Sequence, residues 1–501
     1  MSNQLVIHNS LSREKEVFTS LHEGNIGMYV CGPTVYSDVH LGNCRTFVSF
    51  DIIYRYLTHL GYKVRYVRNI TDVGHLEGDA DSNAEDKIAK KARLEQLEPM
   101  EIVQRYMNGF HDMMKIFNTL PPSIEPRATG HIVEQIEMVQ QIIDNGLAYI
   151  KNGSVYFDTI KFAKQSDTYG QLSGRKLDDL LVETRDLKNQ SEKNHPSDFA
   201  IWIKAAPEHL MRWNSPWSVG FPGWHLECSA MSTKYLGNHF DIHGGGSDLK
   251  FPHHENEIAQ NHGACNCSPA NYWMHTNMLL MNGRKMSKSD GNTITPQQLF
   301  TGDSPHITKA YSPMMLRFFM LQSHYRSTLD LTDDALQAAE KGYKRLMEAN
   351  KILHAMSHPG GGGAGALDKE IQALMAGAFE EMNDDFNTPK ALAKLFELVT
   401  KVNGLKAGHL PFNEITEETL AQLKTLFRTL IFNIFGLKDD LQVANAAGNG
   451  KLDGLMQLVI EMRANARANK DWGTSDKIRD TLNELKIQLK DGKDGTSWSI
   501  D

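Results

Sequence analysis

The sequence predicts an α/β fold built on a parallel sheet and followed by a long helical region. Residues 25–75 alternate strand, helix and strand: "YVCG" ends a strand, "RTFVSFDIIYRYL" forms a helix, and "KVRYVRNITDV" supplies the next strand after Gly61. Such a unit normally has a right-handed crossover between parallel strands. Mixed α/β character returns from Trp202, and residues 315–440 are helical in pattern. We therefore expect an α/β domain followed by a helical domain.

The composition is that of an ordinary globular protein. The chain has 501 residues, of which 41% are hydrophobic and 23% charged, enough for about two to four domains. The formal net charge of -8 argues against a non-specific nucleic-acid coat but allows a local basic groove. The N-terminus lacks the order of a signal peptide, and no apolar run approaches the ~20 residues that span a bilayer. Five cysteines predict free thiols or metal ligands in the cytosol.

Breaks in the pattern indicate further boundaries. Residues 85–118 have a helical period that ends in the proline-rich "NTLPPSIEPRAT". An insertion follows, in which "GLAYIKNGSVYFDT" predicts a hairpin with Asn152 and Gly153 at its turn. We predict linkers at "HPGGGGAGALD" and "VANAAGNGKLDG", and a small module after the second.

The turn His40-Leu41-Gly42-Asn43 lies between the first strand and its helix. A helix N-terminus offers unpaired N–H groups and partial positive charge, which suit phosphate. Gly42 allows a ligand to approach the backbone closely, and His40 and Asn43 can donate hydrogen bonds. An ordinary helix cap fits four residues equally well, so this turn alone does not identify a nucleotide site.

A second motif, "GRKMSKSDGN", follows the apolar run "NMLLM" and contains Lys285 and Lys288. By itself it also fits a solvated basic loop. The string Lys-Met-Ser-Lys-Ser, about 240 residues after a His-x-Gly-x turn, resembles the signature of class I aminoacyl-tRNA synthetases. The chain departs from that pattern at Asn43, where the class usually has a second histidine; asparagine still donates a hydrogen bond.

Further stretches resemble the cysteinyl-tRNA synthetase family, within that class. They are "YVCGPTVY", "RTFVSFDII", "YVRNITDV", "GWHLECSAM", "DIHGGGSDLKFPHHENEIAQ" and "RKMSKSDGNT", together with the closing "KDWGTSDKIRDTLNELKIQLKDGKDGTSW". The resemblance implies a Rossmann-type catalytic domain with an insertion, a helical bundle and a small anticodon-binding module. The expected bounds are 1–126 for the first catalytic half, 127–200 for the connective insertion, 201–314 for the second half with the signature loop, 315–445 for the helical tRNA-binding domain and 452–501 for the module.

The resemblance also implies one zinc ion per chain at the base of the amino-acid pocket. Carried over, its ligands are Cys31, Cys228, His253 and Glu257. The chemistry is coherent, because thiolate, imidazole and carboxylate all bind zinc. His253 and Glu257 share a helix face, and Cys31 ends a strand where open α/β sheets bind ligands.

Spacing alone leaves two alternatives to that zinc site. A local site within "HHENEIAQNHGACNC" is as plausible from the residues, and a single cysteine is more often a buried core residue. The local site would draw on His253, His254, His262, Cys265 and Cys267.

Three residues resemble the family's substrate pocket: Thr71, Trp224 and His243. A core tryptophan, a cap or a hydrogen-bonded core residue would explain each equally simply. The glycines of "HGGGSD", Gly244 to Gly246, allow close backbone approach, which we expect on the adenosine side; a plain turn is the alternative.

The implied reaction joins L-cysteine to tRNA(Cys) with ATP and Mg2+. The implied catalytic residues are His40, Asn43, Lys285 and Lys288, and the implied ATP-binding residues are His40, Gly42, Asn43 and Lys288. We expect a cytoplasmic monomer without a membrane partner. Two alternatives stay open: a cysteine–amino-sugar ligase of the mycothiol-synthesis type, and a catalytically silent RNA-binding paralogue.

The resemblance places anticodon contacts in the C-terminal module, at Arg467, Trp472, Asp476 and Asp491. Arginine can pair with guanine through two hydrogen bonds, aspartate can accept one from cytosine, and tryptophan can stack on an unpaired base. The alternative for each residue is a solvated helix surface.

Overall fold

The computed structural model of the chain describes all but a few short segments. The described residues are 4–73, 87–166, 169–175, 192–207, 209–223, 225–286, 291–485, 487–492 and 495–500. The strands are β1 (Val6–Asn9), β2 (Glu14–Val17), β3 (Asn25–Val30), β4 (Lys63–Arg68), β5 (Ala148–Lys151), β6 (Ser154–Phe157), β7 (Phe199–Lys204), β8 (Trp213–Asn214), β9 (Val219–Pro222), β10 (Phe240–Gly246), β11 (Ala270–Thr276), β12 (Leu279–Met281), β13 (Arg284–Lys285), β14 (Leu329–Leu331), β15 (Ile487–Gly492) and β16 (Gly495–Ile500).

The α-helices are α1 (Leu41–His59), α2 (Lys87–Glu95), α3 (Pro99–Ile116), α4 (Ile132–Asp144), α5 (Thr159–Ser166), α6 (Leu226–Leu236), α7 (His253–Cys265), α8 (Pro296–Thr301), α9 (Pro313–Leu321), α10 (Asp333–Ala355), α11 (Ala366–Asn383), α12 (Thr388–Lys406), α13 (Glu417–Phe427), α14 (Leu441–Ala468) and α15 (Trp472–Glu484). α10 to α13 fall in the region whose pattern is helical, and a π-helical stretch, Arg428–Ile434, extends α13.

Four parallel strands form the central sheet, in the order β11-β10-β3-β4. β3 pairs with β4 along its whole length, and β10 pairs with β3 and with β11. The middle strands are largely buried, with Met28, Tyr29 and Val30 fully inaccessible, as expected for a parallel sheet covered on both faces. The parallel α/β sheet predicted from the sequence is confirmed.

The chain crosses the end of the sheet at Gly32, where no side chain fits. A Cβ at this position would lie 1.6 Å from the carbonyl oxygen of Asn69. The Gly32 N–H instead donates to the side-chain oxygen of Asn69 at 2.8 Å. The loop after β3 therefore passes directly over the end of β4, at the edge where open α/β sheets bind ligands.

α1 begins at the end of this loop and lies close against the sheet. The ring of Phe50, on this helix, leaves no room for a side chain at Gly244 of β10, because a Cβ there would lie 2.2 Å from the ring. The helix ends before Gly61, whose φ of +94° is unfavourable for other residues. The helix and its terminating glycine match the prediction.

The insertion contains a five-stranded antiparallel sheet, in the order β5-β6-β7-β9-β8. The predicted hairpin is confirmed: β5 and β6 meet at Asn152 and Gly153, which both have the positive φ that a tight hairpin turn requires. β7 pairs with β6 and with β9, so this sheet continues past the boundary expected at residue 200.

The chain divides into two compact units, residues 1–438 and 439–501. The linker predicted at "VANAAGNGKLDG" is wrong, because the backbone of residues 443–454 is helical and belongs to α14. Glycine and asparagine disfavour helix, but intrinsic propensity is only a weak guide to the backbone of a folded chain. In the second unit, Met456, Leu482 and Ile487 form a buried cluster, which joins α14, α15 and β15. The linker predicted at "HPGGGGAGALD" does separate two helices, although α11 begins within it.

Candidate active site

One cavity connects Cys31, a candidate zinc ligand, to the turn His40–Asn43 at the start of α1. Its volume is about 270 Å³. The lining runs from Cys31 through the loop after β3 to His40 and Asn43 at the start of α1, and Gly246 and Asp248 form another part of the wall. The thiol at one end and the helix N-terminus at the other therefore face a common space.

One end of the cavity is the first turn of α1. His40 caps the helix with an extended backbone, and its Nδ1 accepts a hydrogen bond from the Asn43 N–H at 3.3 Å. A Cβ at Gly42 would lie only 3.0 Å from the His40 ring, so glycine lets this ring pack closely on the turn. The first turn contains no acidic residue. Its partial positive charge therefore suits an anion such as phosphate.

At the other end, four buried or half-buried donors converge. The Cys31 Sγ lies 3.7 Å from the Cys228 Sγ, 3.5 Å from the His253 Nε2 and 3.6 Å from the Glu257 Oε1. His253 Nε2 and Glu257 Oε1 are 3.2 Å apart. Ordinary zinc bond lengths give a tetrahedron with edges of about 3.8 Å between two sulfurs, about 3.5 Å from sulfur to nitrogen or oxygen, and about 3.3 Å from nitrogen to oxygen. The donor set fits zinc in both chemistry and spacing.

Neighbouring histidines orient two of these donors. His225 Nδ1 and His253 Nδ1 share a hydrogen bond of 2.7 Å, and His243 Nε2 lies 2.8 Å from the second oxygen of Glu257. Metal-binding imidazoles and carboxylates are commonly fixed by such partners. His225 has a φ of +75°, a strained conformation that is frequent at functional sites.

A second possible metal-binding group shares two of these residues and fits zinc less well. It consists of Cys31, His243, His254 and Glu257. The His243–Glu257 separation of 2.8 Å is a hydrogen-bond distance, and the nearest His254–Glu257 atoms are 4.0 Å apart. His254 also uses its Nδ1 in a 2.8 Å contact with His275. These distances favour the set with Cys228 and His253.

The local zinc site that spacing left open is not assembled in the described part of the chain. His262 packs near the Phe162 ring, and neither candidate metal group there includes it. Cys265 and Cys267 form a disulfide with their Cα atoms 5.3 Å apart. The expectation that the cysteines are free thiols or metal ligands is therefore wrong for this pair, because the end of α7 brings the two sulfurs together.

The pKa shifts of these donors indicate how a bound cation would change the charges of the site. Burial and the adjacent Cys228 thiol raise the pKa of Cys31 well above its ordinary value. Burial lowers the pKa of His253, but Cys228 and Glu257 outweigh burial and raise it. Burial likewise raises the pKa of Glu257, but His243 and His253 outweigh it and lower the pKa to about 2. The protein alone thus keeps the Cys31 thiol protonated, and a bound cation would stabilise its thiolate.

The three residues expected in the substrate pocket do not all lie at the cavity wall. Thr71 is buried, and its backbone pairs with the cavity-lining loop through Pro33 and Val35. His243 is fully buried, stacks on Trp273 at 4.3 Å and contacts Glu257. Its position therefore supports Glu257, one of the candidate metal ligands. Trp224 lies outside the described residues.

The signature loop begins on a short hairpin. β12 and β13 meet at Asn282 and Gly283, both with positive φ. Lys285 is exposed at the end of β13, and the Asn292 side chain donates to its carbonyl oxygen at 3.4 Å. Lys288 lies outside the described residues. The hairpin therefore gives the position of the loop's base.

In the C-terminal unit, three of the expected anticodon residues lie on exposed surface. Arg467 is exposed near the end of α14, and Trp472 is 58% exposed at the start of α15. Asp476 is exposed and forms an ion pair with Arg479 at 3.2 Å. Asp491 pairs with Thr496 along the backbone of the β15–β16 hairpin. These positions are compatible with a surface that binds a partner.

Sequence reasoning missed His225 and Asp248, and it named His254 only for the local zinc site. His225 and His254 contact the metal-binding donors, and Asp248 lines the cavity. Each lies within one to five residues of a predicted ligand or of the glycine run. Their proximity in sequence was the available signal, but their orientation depends on how α6 and α7 pack together.

Two family models match the chain. The model described as "tRNA synthetases class I (C) catalytic domain" matches residues 17–341, and the one described as "DALR domain" matches residues 379–442. Among similar curated proteins, the cysteine--tRNA ligases of Bacteroides fragilis and Bacteroides thetaiotaomicron are 54% and 55% identical, each over 502 residues and 100% of both chains. That of Deinococcus radiodurans is 48% identical over 99% of this chain and 96% of its own.

Solved structures show the same fold at low identity. A methionyl-tRNA synthetase of Mycobacterium tuberculosis in complex with methionyl-adenylate has a TM-score of 0.58 and 13% identity, and covers 82% of this chain and 92% of its own. A second structure of that enzyme has a TM-score of 0.56 and 15% identity with the same coverage. Within the described residues, no helix has the length and apolar composition that crossing a membrane requires.

Proposed function

The chain belongs to the cysteine--tRNA ligase family, and we propose that it activates L-cysteine with ATP and transfers it to tRNA(Cys). In the first step a carboxylate oxygen of cysteine attacks the α-phosphorus of ATP. A bond forms between them, and the bond to pyrophosphate breaks. In the second step a hydroxyl of the terminal adenosine of the tRNA attacks the cysteinyl carbonyl and displaces AMP.

The single observation that supports this proposal most strongly is the shared cavity. It joins Cys31, one of the four candidate zinc ligands, to a helix N-terminus suited to phosphate, within about 270 Å³. The reaction needs a thiol-containing amino acid and a nucleotide side by side, and this cavity places a candidate metal ligand and a phosphate-suited helix N-terminus on one common space. The protein does no covalent work in such a reaction, so catalysis rests on positioning and charge stabilisation.

We assign roles to the residues at the nucleotide end. His40 and Asn43 hold the phosphates at the start of α1, and Gly42 allows the close approach. Lys285 and Lys288 stabilise charge that develops as pyrophosphate leaves, with Mg2+ bound to ATP. Asparagine at position 43 keeps a donor where the class usually has a second histidine, so phosphate binding does not depend on an imidazole there.

At the other end, Cys31, Cys228, His253 and Glu257 would hold one zinc ion. When bound, zinc supplies a soft Lewis-acid site that takes the thiolate of the substrate cysteine. His225 and His243 keep the imidazole and the carboxylate in place for it. Thr71 and Trp224 belong to the walls of the amino-acid pocket in this proposal.

Serine would be rejected by this arrangement. Serine and cysteine differ little in size, and one small group in an apolar pocket gives about 1–3 kcal/mol of discrimination. A thiol has a pKa near 8.5 in model peptides, whereas an alcohol is a far weaker acid and a harder ligand. The soft donor set therefore selects sulfur without a separate editing site.

The C-terminal unit would contact the anticodon through Arg467, Trp472, Asp476 and Asp491. The domain bounds expected from the sequence belong to this proposal, as do a monomeric state and a cytoplasmic location. The exposure of Trp472 supports the anticodon role, because an accessible indole can stack on an unpaired base.

Pyrophosphate exchange and tRNA charging test the function together. We expect cysteine to drive ATP–pyrophosphate exchange, serine to drive little, and labelled cysteine to become attached to tRNA(Cys). Exchange without charging, combined with cysteine transfer to an amino-sugar, would assign the chain to the other ligase class. Absence of cysteine-dependent exchange by the zinc-loaded protein would identify a silent RNA-binding paralogue.

A further inference from the structure

The guanidinium of Arg45 lies almost fully buried on α1, two residues after Asn43. Its Nη1 donates to the carbonyl oxygens of Asn277, at 3.0 Å, and Met278, at 2.6 Å. Its Nη2 donates to those of His324, at 3.2 Å, and Ser327. The two terminal nitrogens of a guanidinium carry four hydrogens, so these four carbonyl groups use all of them.

The four acceptors belong to two segments that are distant in sequence. Asn277 and Met278 connect β11 to β12, and β12 leads into the hairpin that ends at Lys285. His324 and Ser327 connect α9 to β14. β12 and β14 then run parallel, from Leu279↔Leu329 onward. One side chain thus fixes the beginnings of both strands relative to α1.

The far end of the hairpin is tied to the same strand. The Asn282 N–H donates to the carbonyl oxygen of Leu331 at 3.1 Å, and the Gly283 N–H donates to Oδ1 of Asp330 at 2.9 Å. The hairpin is therefore held at its base through Arg45 and at its turn through β14. Its position relative to the start of α1 depends on the contacts of Arg45.

We propose that Arg45 is a positioning residue, which sets the distance between the phosphate-binding turn His40–Asn43 and the hairpin that carries Lys285. This inference rests on the proposed function, because both motifs act on one ATP. Misplacement of a reacting group by about 1 Å can lower a rate by about 100-fold. A contact that fixes the relative position of the two motifs therefore controls turnover without touching the substrate.

The chemistry of the contact favours this role over simple packing. A buried cation is costly to desolvate, and burial lowers the pKa of Arg45 to about 10, so it still carries its charge at neutral pH. Arginine holds its donors in a rigid planar fork, whereas the lysine ammonium is a compact group on a flexible stem. Lysine at this position keeps the charge but cannot reach all four carbonyl groups in that fixed geometry.

The test compares two arginine-to-lysine variants on one helix. Arg45→Lys loses the fork beside the hairpin. The matched control, Arg55→Lys, loses a fork that contacts Asp51 and the carbonyl oxygens of Asn118 and Asn433. Cysteine-dependent pyrophosphate exchange gives kcat and the KM values of ATP and cysteine. Metal analysis and thermal unfolding report zinc content and stability.

We expect Arg45→Lys to lower kcat by about 100-fold, on the scale of a misplaced reacting group, while zinc content and the KM of cysteine stay unchanged. Arg55→Lys should keep kcat even if it unfolds at a lower temperature. A wild-type protein without exchange activity contradicts the proposed function itself. An active wild type with equal kcat values for the two lysine variants overturns the role of Arg45 alone.

A second variant covers the case in which the Arg45 substitutions fail to fold. Asp330 is exposed on β14, so Asp330→Ala should be tolerated, yet it removes the acceptor of the Gly283 N–H. It loosens the same hairpin from its other end. We expect a lower kcat with an unchanged KM for cysteine. An unchanged kcat would show that placement of the hairpin does not limit turnover, and the inference would be wrong.

Discussion

Replacing Asp51 by asparagine should destabilise the first unit strongly, because this carboxylate is the buried counter-charge of two arginines. Its Oδ2 accepts from Arg317 at 2.5 Å and from Arg55 at 2.8 Å, and its Oδ1 accepts from the Leu120 N–H at 2.7 Å. The side chains of Asp51 and Arg317 are 1% and 0% exposed. Asp51→Asn would leave the Arg317 guanidinium buried without a negative partner.

The size of the effect follows from this geometry. Breaking a buried ion pair by removing one partner costs about 3–5 kcal/mol. The first unit has 438 residues, and an unfolding entropy of about 2.1 cal/mol/K per residue gives about 0.9 kcal/mol/K. If this unit unfolds cooperatively, its midpoint should fall by about 3–5 °C. Unfolding of a smaller cooperative part would give a larger shift.

Thermal and urea unfolding of the full chain measure this change. The control is Asp112→Ala, which breaks the ion pair of Asp112 with Lys115, whose side chains are 69% and 77% exposed. A pair this exposed contributes about 0–1 kcal/mol, so the control should unfold almost like the wild type. Equal midpoints for Asp51→Asn and Asp112→Ala would refute the reasoning, because the buried charge would then have found another partner.

Four further outcomes test the proposed roles. Cys31→Ser should reduce both zinc content and cysteine-dependent exchange, whereas Cys44→Ser, at a buried thiol outside the metal-binding donors, should keep its zinc. Lys288→Ala should lower the rate of adenylate formation by about 100-fold with little change in cysteine affinity; near-normal turnover would remove Lys288 from the mechanism. Truncation after Lys438 removes the whole second unit, including all of α14. It should spare adenylate formation and abolish most tRNA charging; unchanged charging would contradict the anticodon assignment. Burial raises the pKa of Asp333, but hydrogen bonds from neighbouring hydroxyl and amide groups outweigh it and lower the pKa to about 2. The stabilisation from this carboxylate is therefore present above its ordinary pKa of about 4 and is lost as the pH falls toward 2. Unfolding of Asp333→Asn at several acidic pH values should show its stability deficit shrinking over that range, and a constant deficit would contradict the assignment.

The local sequence was sufficient to predict the backbone where one residue type determines its conformation. Gly61 ends α1, and Asn152 with Gly153 forms the predicted hairpin turn, because few other residues adopt positive φ without strain. The failure at residues 443–454 has the opposite cause. Composition there favours a linker, yet the helix continues into Met456 and Val459, which pack in the cluster of the second unit. The helix that contains this stretch thus continues into residues whose packing partners lie far along the chain, and such partners are not encoded locally.

The site shows the same limit at the level of side chains. The four metal-binding donors were named through a family resemblance, whereas spacing alone favoured the cluster at the end of α7 just as much. His243 was expected in the substrate pocket and His225 had no predicted role. Their contacts with His253 and Glu257 depend on how helices pack on the sheet. Arg45 lies in the quoted stretch "RTFVSFDII", but nothing in that stretch indicated its contacts. Its four partners are carbonyl groups, which every residue has, so their identity does not reveal the contact.

The contacts of Arg45 and Asp51 both start from one rigid element, the helix α1. Its 19 residues span about 28 Å at 1.5 Å per residue, with His40 at its start, Arg45 in its second turn and Asp51 about 9 Å further along. Arg45 holds the hairpin of the signature loop, and Asp51 holds α9 through Arg317. The two contacts should therefore separate in experiment: Asp51→Asn lowers the unfolding midpoint, and Arg45→Lys lowers kcat. If both variants lost turnover in proportion to stability, the helix would serve as a common structural support, and no single contact along it would position the ATP motifs.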